Sequence, residues 1–223
     1  MRIPILLLTI LLATACRDKK DSSHGADTFI GPESASLAVE SLQQYETAYF
    51  ASGCFWCVEA IFESVKGVVE VYSGYSGGSD PHPNYEDVSY GRSDHAEAVE
   101  VYFDPKSISF AQLVEIFFGS HDPTTLNRQG PDRGAQYRSI AFYKNDRQKK
   151  IITDHIRALE AAKTFEGPIV TQVLPFVKFH RAEDYHQDYE QKHPQNPYIQ
   201  NVSLPRLERF KERFGDYLKT EVH

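Results

Sequence analysis

The sequence is poor in sulfur and carries no surplus of positive charge. Its 223 residues include three cysteines, one methionine and one tryptophan, and the formal net charge is −7. Three cysteines are too few for a disulfide framework, and no second CxxC or paired histidine motif completes a zinc site. The acidic balance excludes the basic footprint of a nucleic-acid-binding protein. The apolar run at residues 3–13 is too short to span a bilayer.

The chain is rich in tyrosine and phenylalanine, with 13 and 14 residues respectively. These side chains build cores and apolar pockets with polar rims. The length and the 41% hydrophobic content allow one good core but not two full domains. The only loose group of histidines is His180, His186 and His193, whose spacings do not place three ligands on one helical face. We therefore predict no metal site and no bound cofactor.

The N-terminus has the pattern of an export signal, with Arg2 followed by the apolar run. Small residues precede Cys16, which resembles the lipobox of bacterial lipoproteins, where that cysteine becomes the lipidated N-terminus. Leu12 stands four residues before Cys16 rather than three, so an ordinary secretory signal is the alternative. We predict a lipoprotein signal peptide over residues 1–15 and a polar tether over 16–45. The protein would then be anchored at the periplasmic face of a bacterial membrane.

Residues 53–57, Gly-Cys-Phe-Trp-Cys, lie between a strand-like segment at 47–52 and an amphipathic helix. The apolar residues behind the motif follow helical i, i+3, i+4, i+7 spacing: Val58, Ile61, Phe62 and Val65. Cys54 therefore falls at a helix N-terminus, where unpaired N–H groups and the helix dipole lower the pKa of a thiol. Gly53 allows the sharp turn before it. We predict a reactive thiolate at Cys54 rather than a small, inert core residue.

Residues 95–104 have the alternation of a β-strand, in which Glu97, Val99, Val101 and Phe103 share one face. A carboxyl on an apolar face resists ionisation, so burial would raise its pKa and keep it protonated near neutrality. A protonated Glu97 is a candidate general acid. The periodicity alone leaves open that Glu97 lies at a strand end and reaches solvent.

The other segments alternate irregularly between strands and helices, which predicts an α+β fold. We predict further strands at 67–75 and 136–143, edge strands at 169–173 and 175–179, and helices at 109–118, 146–163, 182–192 and 204–217. Two long loops are predicted at 81–92 and 121–134, and loops of that length are often functional. The glycine-rich segment 73–78 is predicted to be too irregular for a central strand.

Four motifs occur in a fixed order along the chain. They are Gly-Cys-Phe-Trp at 53–56, Tyr85 in the first loop, His-Ala-Glu-Ala-Val at 95–99, and Gln-Gly-Pro-Asp-Arg-Gly at 129–134 followed by Gln-Tyr-Arg-Ser at 136–139. Together they resemble the A-type peptide methionine sulfoxide reductases over about residues 47–198. The resemblance implies a catalytic domain at 46–223. Its fold would be a two-layer α+β sandwich with a ferredoxin-like split βαβ core and long active-site loops.

The resemblance also implies reaction roles. Cys54 would attack the sulfoxide sulfur and become a sulfenic acid, while Glu97 would protonate the leaving oxygen. The other side chains would hold the substrate: Tyr85 and Tyr137 at the sulfoxide oxygen, Asp132 ordering the site, and Phe55 and Trp56 forming the pocket for the methyl group. The implied reaction is thiol-dependent reduction of the S epimer of methionine sulfoxide, since one enzyme serves each epimer.

Cys57 departs from the commoner family pattern, which has glycine there and resolving cysteines near the C-terminus. This chain has no cysteine after Cys57. In one interpretation, which we favour, Cys57 resolves Cys54 as a disulfide that thioredoxin or a periplasmic dithiol then reduces. In the other, Cys57 is packed and inert, and an external thiol reduces the sulfenic acid.

The expected partners follow from the resemblance and from the export signal. They are oxidised envelope proteins or peptides bearing methionine sulfoxide, a thioredoxin-like reductant, and a membrane through the lipid anchor; we expect a monomer. A competing hypothesis is an exported CxxC thiol–disulfide oxidoreductase of thioredoxin type. Such a protein has no need of a buried Glu97 or of two tyrosine-bearing loops. A third hypothesis is a lipid-tethered binding module whose aromatic pocket holds a methylthio group.

Overall fold

The structure is a computed structural model that describes residues 41–220. The strands are β1 (Glu46–Ala51), β2 (Val68–Ser76), β3 (Ala96–Phe103), β4 (Arg128–Gln129), β5 (Asp132–Arg133), β6 (Ile140–Tyr143), β7 (Gln172–Pro175) and β8 (His180–Arg181). The α-helices are α1 (Phe55–Glu63), α2 (Tyr85–Ser89), α3 (Phe110–Gly119), α4 (Asp146–Ala161), α5 (Tyr189–Lys192) and α6 (Leu204–Arg213). A π-helical turn, Ile199–Ser203, leads directly into α6.

Six strands form the main sheet in the order β7-β6-β1-β3-β2-β8. Strand β3 lies between β1 and β2 and is antiparallel to both, and β6 is antiparallel to β1. The order β6-β1-β3-β2, with α1 after β1 and α3 after β3, is the ferredoxin-like split βαβ arrangement. The α+β architecture predicted from the sequence is therefore present. Strands β4 and β5 form a separate hairpin.

One face of the sheet packs against α1 and α3. Phe50 of β1 stacks on Phe62 of α1 at 5.2 Å and on Phe117 of α3 at 4.9 Å between ring centroids. Helix α3 begins at a capping box, in which the Ser109 hydroxyl accepts from the Gln112 N–H and the Gln112 side chain accepts from the Ser109 N–H. This helix start and the apolar side of α3 are both readable from the sequence.

The opposite face is also covered, by the segment that follows β7. Tyr49 of β1 stacks on Phe176 with a centroid distance of 3.6 Å, and Phe179 packs nearby. Small side chains, Ala51 and Ala98, occupy this face of the central strands and are buried. Both faces of β1 and β3 are thus shielded from water near the end of β1, where the Cys54 motif begins.

Residues 73–76 of the glycine-rich segment predicted to be irregular belong to strand β2, so the prediction is wrong for them, while Gly77 and Gly78 follow the strand. Ser73–Ser76 pair with β3, and Gly74 and Tyr75 also pair with β8. A Cβ atom on Gly74 would lie 2.3 Å from Phe179 Cζ and 2.4 Å from the His180 carbonyl oxygen. Glycine is therefore in this strand because the neighbouring chain approaches it closely.

Several other predicted boundaries shift. The predicted loop at 81–92 contains α2, which Asn84 caps by accepting the Asp87 N–H, and the loop at 121–134 contains the β4–β5 hairpin. The predicted strand at 136–143 begins only at β6, after a 3₁₀ turn at Ala135–Tyr137. The predicted edge strand at 175–179 is wrong, because β8 begins at His180. Strands β7 and β8 do form the two edges of the sheet.

The predicted signal peptide, Cys16 and the tether up to residue 40 lie outside the described residues. Within residues 41–220, no helix has the length and apolar character needed to cross a bilayer.

Candidate active site

The turn between β1 and α1 places Cys54 at the first turn of a helix, as the sequence predicts. Gly53 has φ +91°, a left-handed conformation that glycine adopts without a Cβ penalty. A Cβ atom there would lie 2.6 Å from Gln129 Cβ, so the β4–β5 hairpin closes directly over this turn. Cys54 is the N-cap residue of α1 and is 6% exposed.

Glu97 is buried beside this turn, with 2% of its surface exposed. Its Oε2 accepts a hydrogen bond from the Phe55 backbone N–H at 3.0 Å. Burial raises the pKa of Glu97 to about 8, against the opposing effect of that hydrogen bond, and the charges of Asp132 and Cys57 raise it further. The carboxyl is therefore mostly protonated at pH 7. The alternative of a solvent-exposed carboxylate at a strand end is wrong.

The predicted low pKa of Cys54 is also wrong for the free protein. The Cys54 side chain makes no capping hydrogen bond, and the N–H of Phe55, the first residue of α1, donates to Glu97. Burial raises the pKa of the Cys54 thiol, and the hydrogen bond and charge of Cys57 and the charges of Glu97 and Asp132 raise it further. Cys54 is thus a thiol at neutral pH, next to a neutral carboxyl.

Tyr85 and Tyr137 approach the same centre from two different segments. Tyr85 begins α2, and Tyr137 ends the 3₁₀ turn before β6. Burial and then the charges of Glu97 and Cys54 raise the pKa of both phenols, that of Tyr85 to about 12. The raised pKa values keep both phenols protonated, so each can donate a hydrogen bond on the side of Glu97 and Cys54.

Phe55 and Trp56 differ in exposure. Phe55 is 1% exposed and packs against Tyr75 and His186, at centroid distances of 5.9 and 4.9 Å. Trp56 is half-buried, stacks on Tyr189 at 3.8 Å with nearly parallel rings, and donates its Nε1–H to His186 Nδ1 at 3.1 Å. Trp56 therefore presents an accessible aromatic face, and Phe55 forms the apolar floor behind it.

Asp132 and Cys57 are linked through a residue that the sequence did not single out, Tyr198. The Tyr198 hydroxyl donates to Asp132 Oδ2 at 2.6 Å and lies 3.8 Å from Cys57 Sγ. Burial raises the pKa of Asp132. Cys57 is 2% exposed, and both it and Cys54 are free thiols. The hydrogen bond from Cys54, and then the charge of Arg206, lower the pKa of Cys57 to about 7 against the effect of burial.

Comparison with known proteins points to one family. The model of the peptide methionine sulfoxide reductase family matches residues 46–218. The peptide methionine sulfoxide reductase MsrA of Saccharolobus solfataricus is 49% identical over 178 residues, covering 80% of this chain and 98% of that relative. The chain belongs to the A-type peptide methionine sulfoxide reductases.

Further relatives and solved structures agree with this assignment. The MsrA of Polynucleobacter asymbioticus is 46% identical, over 78% of this chain and 92% of the relative. The structure of methionine sulfoxide reductase A from Corynebacterium diphtheriae matches with TM-score 0.60 and 37% identity, over 67% of this chain and 75% of that one. Reduced Mxr1 from Saccharomyces cerevisiae matches with TM-score 0.62 and 34% identity, over 68% and 87%. The fold class and the enzyme class predicted from the motifs are confirmed.

Within this reductase fold, the structure brings together all the predicted site residues between 54 and 137. It adds residues from the C-terminal third of the chain, which the sequence interpretation missed: His186, Tyr189, Tyr198 and Arg206. They lie in short turns and at helix starts, where neither a period of 2 nor one of 3.6 marks an inward-facing side chain. Only their aromatic and basic character among polar neighbours was available as a signal.

The loose histidine group is split up in the folded reductase. Burial lowers the pKa of His186 to about 4, and its Nε2 has no hydrogen-bond partner. His180 lies beside His95 at 5.1 Å, and His193 packs on Tyr189 at 4.3 Å. In the described part of the chain, no group of three His, Cys, Asp or Glu side chains is placed to hold a metal ion.

Proposed function

We propose that this reductase converts the S epimer of methionine sulfoxide, free or in proteins, to methionine, with Cys54 as the nucleophile. The observation that carries the proposal is the neutral, buried Glu97 carboxyl beside the Cys54 thiol. A sulfoxide is a poor electrophile until its oxygen is protonated or strongly hydrogen-bonded, so a proton donor next to the nucleophile is what the reaction requires.

The first step starts from a Cys54 thiol and a protonated Glu97. Glu97 transfers its proton to the sulfoxide oxygen while Cys54 Sγ forms a bond to the sulfoxide sulfur, and the proton lost by Cys54 replaces the one lost by Glu97. The hydroxyl group then transfers from the substrate sulfur to Cys54 Sγ: the substrate S–O bond and the bond between the two sulfurs break, a Cys54 S–O bond forms as a sulfenic acid, and methionine leaves. One thiol and one sulfoxide thus give one sulfenic acid and one thioether, with no net change in protons.

The surrounding side chains support selection of one epimer. Tyr85 and Tyr137 supply phenolic donors for the sulfoxide oxygen, near Glu97. Trp56 and Phe55 supply an apolar surface for the methyl group on another side of Cys54. Because the oxygen and the methyl group would occupy different subsites, only one configuration at sulfur fits both subsites while the sulfur faces Cys54. Asp132, held by Tyr198, orders the rim of the site.

We further propose that Cys57 resolves the Cys54 sulfenic acid. The Cys57 thiolate attacks Cys54 Sγ, a disulfide forms, and the hydroxyl group leaves with a proton as water. A dithiol of thioredoxin type, or a periplasmic equivalent, then reduces the disulfide by thiol–disulfide exchange. The hydrogen bond between the two thiols and the lowered pKa of Cys57 support this step over a packed and inert Cys57.

Reduction of a peptide carrying one sulfoxide epimer tests the function. With dithiothreitol as reductant, we expect the S epimer to be converted to methionine, the R epimer to remain, and Cys54→Ser to be inactive. A thioredoxin-type enzyme would instead reduce insulin disulfides, and a binding module would retain affinity for the S-sulfoxide peptide after Cys54→Ser without any turnover. Either result, without S-sulfoxide reduction by the native protein, would contradict the proposal.

We also propose that residues 1–15 are a lipoprotein signal, that Cys16 is the lipidated N-terminus, and that the domain at 46–223 repairs oxidised proteins in a bacterial envelope. The sequence pattern before Cys16 supports this proposal. Mass spectrometry of the mature protein is expected to show a diacylated or triacylated Cys16, which Cys16→Ser removes. An unmodified N-terminus at or before Cys16 would rule out the anchor, leaving the enzymatic proposal unaffected.

A further inference from the structure

Arg206 is a buried cation without a carboxylate partner. It lies in α6 and is 9% exposed. Its guanidinium donates to the carbonyl oxygen of Ser120 at 3.0 Å, and to the carbonyl oxygen and hydroxyl of Ser52 at 3.1 and 3.3 Å. None of the ion pairs among residues 41–220 includes Arg206. A buried charge is costly unless an opposite charge accompanies it, so the partner of this guanidinium has to be found elsewhere.

Two acidic groups share a cavity with Arg206. Asp132 is one, but its Oδ2 already accepts the Tyr198 hydroxyl and burial raises its pKa, so Cys57 is the better placed of the two. Cys57 and Arg206 both line a cavity of about 370 Å³ under the β4–β5 hairpin. Three of the five guanidinium N–H groups are used by Ser52 and Ser120, which leaves two for an anion. The same bonds to Ser52 fix Arg206 against the turn that begins the Gly53–Cys57 motif.

We propose that Arg206 is the positioning residue that stabilises Cys57 as a thiolate, and thereby makes Cys57 the resolving nucleophile. This inference rests on the proposed resolution step and names what drives it. Its structural basis is a guanidinium that has only neutral partners and a thiol that shares its cavity. Arg209 also lines this cavity but is exposed to solvent, so Arg206 is the buried positive charge on the side of Cys57.

The other groups around Cys57 come from four elements. Cys54 precedes α1, Glu97 is in β3, Tyr198 precedes the π-helical turn, and Asp132 of β5 lies behind Tyr198. Glu97 and Asp132 disfavour a thiolate when they are ionised, and the Cys54 thiol and a hydroxyl can only donate neutral hydrogen bonds to it. The remaining favourable charge is that of Arg206, which acts in the same direction as the lowered pKa of Cys57.

A stabilised Cys57 thiolate serves two chemical steps. As nucleophile it attacks Cys54 Sγ, the S–O bond breaks, and the departing hydroxyl takes a proton to become water. When a reducing thiolate later attacks Cys54 Sγ, the disulfide bond breaks and Cys57 leaves as a thiolate. Exchange is fastest when the attacking thiol has a pKa near ambient pH and the leaving thiol has a low pKa, and both conditions favour Cys57 beside a cation.

Single-turnover kinetics of Arg206→Gln test the proposal. With sulfoxide peptide and no reductant, we expect the loss of the second thiol to slow about two- to fivefold at pH 7 relative to the methionine burst measured in the same reaction. The effect on rate is modest because a thiolate of higher pKa is intrinsically more nucleophilic. The midpoint of the pH–rate profile for disulfide formation should move upward by about one unit. Arg206→Lys should restore the midpoint. Arg209→Gln removes an exposed, solvent-screened arginine from the rim of the same cavity and should leave the midpoint unchanged.

A thiolate titration of the native enzyme gives an answer even if Arg206→Gln fails to fold. The reduced protein is expected to gain one thiolate, by ultraviolet absorbance, with a midpoint near pH 7, and Cys57→Ser should remove it. The inference is overturned if no thiol titrates below the ordinary value of about 8.5, or if a folded Arg206→Gln keeps the native midpoint for disulfide formation. Absence of any methionine burst in the native protein would instead refute the proposed function. A burst without a disulfide would refute resolution by Cys57.

Discussion

Three titratable side chains meet at the start of α1: Cys54 and Cys57 of that turn, and Glu97 of β3. Their pKa values shift in different directions because their contacts differ. Burial raises the pKa of Glu97 and that of Cys54. The hydrogen bond from Cys54 and the charge of Arg206 lower the pKa of Cys57. The Phe55 N–H donates to Glu97, and the Cys54 side chain makes no capping hydrogen bond. The helix N-terminus therefore serves the acid rather than the nucleophile, and the resting site holds a neutral acid, a neutral thiol and a more acidic second thiol.

Replacement of Glu97 by glutamine keeps the shape of the site and removes its acidic proton. We expect the rate of sulfoxide reduction to fall by about 10²- to 10⁴-fold, the usual contribution of general acid catalysis. Because Glu97 has a pKa of about 8, kcat/KM of the native enzyme should decline above pH 8 as the proton is lost, and that decline should be absent in Glu97→Gln. The measurement is a pH profile of methionine release.

Glu100 provides a matched control for this variant. It lies on the other face of β3, where it accepts the Tyr49 hydroxyl at 2.7 Å. Glu100→Gln should remain within tenfold of the native rate. Near-native activity in Glu97→Gln, or a retained decline above pH 8, would show that another group supplies the proton.

At the residue scale, local alternation placed Glu97 on an apolar strand face with three large neighbours, although the alternation alone did not decide between burial and a solvent-exposed strand end. The pKa of Cys54 could not be predicted in the same way. It depends on burial and on the neighbouring groups Cys57, Glu97 and Asp132, of which the last two come from distant strands. Tyr198 and Arg206 were missed for the same reason, because their contacts with Asp132, Cys57 and Ser52 span 66 to 154 residues of sequence.

At the element scale, the second half of strand β2 is the part of the sheet that the sequence did not predict. Its glycine content favours a loop, yet Gly74 pairs with Ala98 of β3 and with Arg181 of β8. The strand extends to Ser76 and therefore supports β8, after which the chain continues to His186 and the wall of the active site. Packing against Phe179 overrides the weak strand propensity of glycine.

A methyl group at Gly74 should separate β8 from β2. Gly74→Ala places a Cβ atom 2.3 Å from Phe179 Cζ and 2.4 Å from a backbone oxygen that cannot move freely. We expect a loss of about 1–3 kcal/mol in the free energy of unfolding, as for other overpacked sites, measured by urea denaturation. Gly215→Ala is the matched control, because no atom lies within 4 Å of a Cβ there. Equal stability of the two variants would mean that β8 moves away without cost.

Helices with clear starts were predicted well because their signals are local. Ser109 and Gln112 cap α3, and Asn145 caps α4 by accepting the Gln148 N–H. Strand β8 and the β4–β5 hairpin were not predicted, since two-residue strands carry no periodicity and are defined only by their partners. The long loops were correctly associated with function, although both contain short regular elements that hold Tyr85 and Asp132 in place.

At the scale of the whole molecule, burial shifts the pKa values of acids and of histidines in opposite directions. Burial raises the pKa of Glu59 to about 8 and lowers those of His121 and His186 to about 3 and 4. A histidine with a lowered pKa destabilises the fold as pH falls below 6.5. A carboxyl with a raised pKa favours the fold at low pH, and this contribution is lost as pH rises from about 4.5 to the folded pKa. The dependence of stability on pH therefore combines both slopes.

Glu59 is suited to isolate the carboxyl contribution, since it is 1% exposed and its Oε1 has no hydrogen-bond partner. Between pH 6.5 and 8 the native state binds more protons at Glu59 than the unfolded chain, so stability falls with rising pH. Glu59→Gln removes this pH dependence. The free energy of unfolding of the variant, minus that of the native protein, should therefore increase by about 1–2 kcal/mol from pH 6.5 to 8. Titrating groups distant from Glu59 cancel in the difference between the two proteins, whereas Glu63, whose charge raises the pKa of Glu59, contributes to it. Exposed Glu212→Gln should show no such trend. Parallel denaturation curves for native and Glu59→Gln proteins at both pH values would place the Glu59 carboxyl in contact with water.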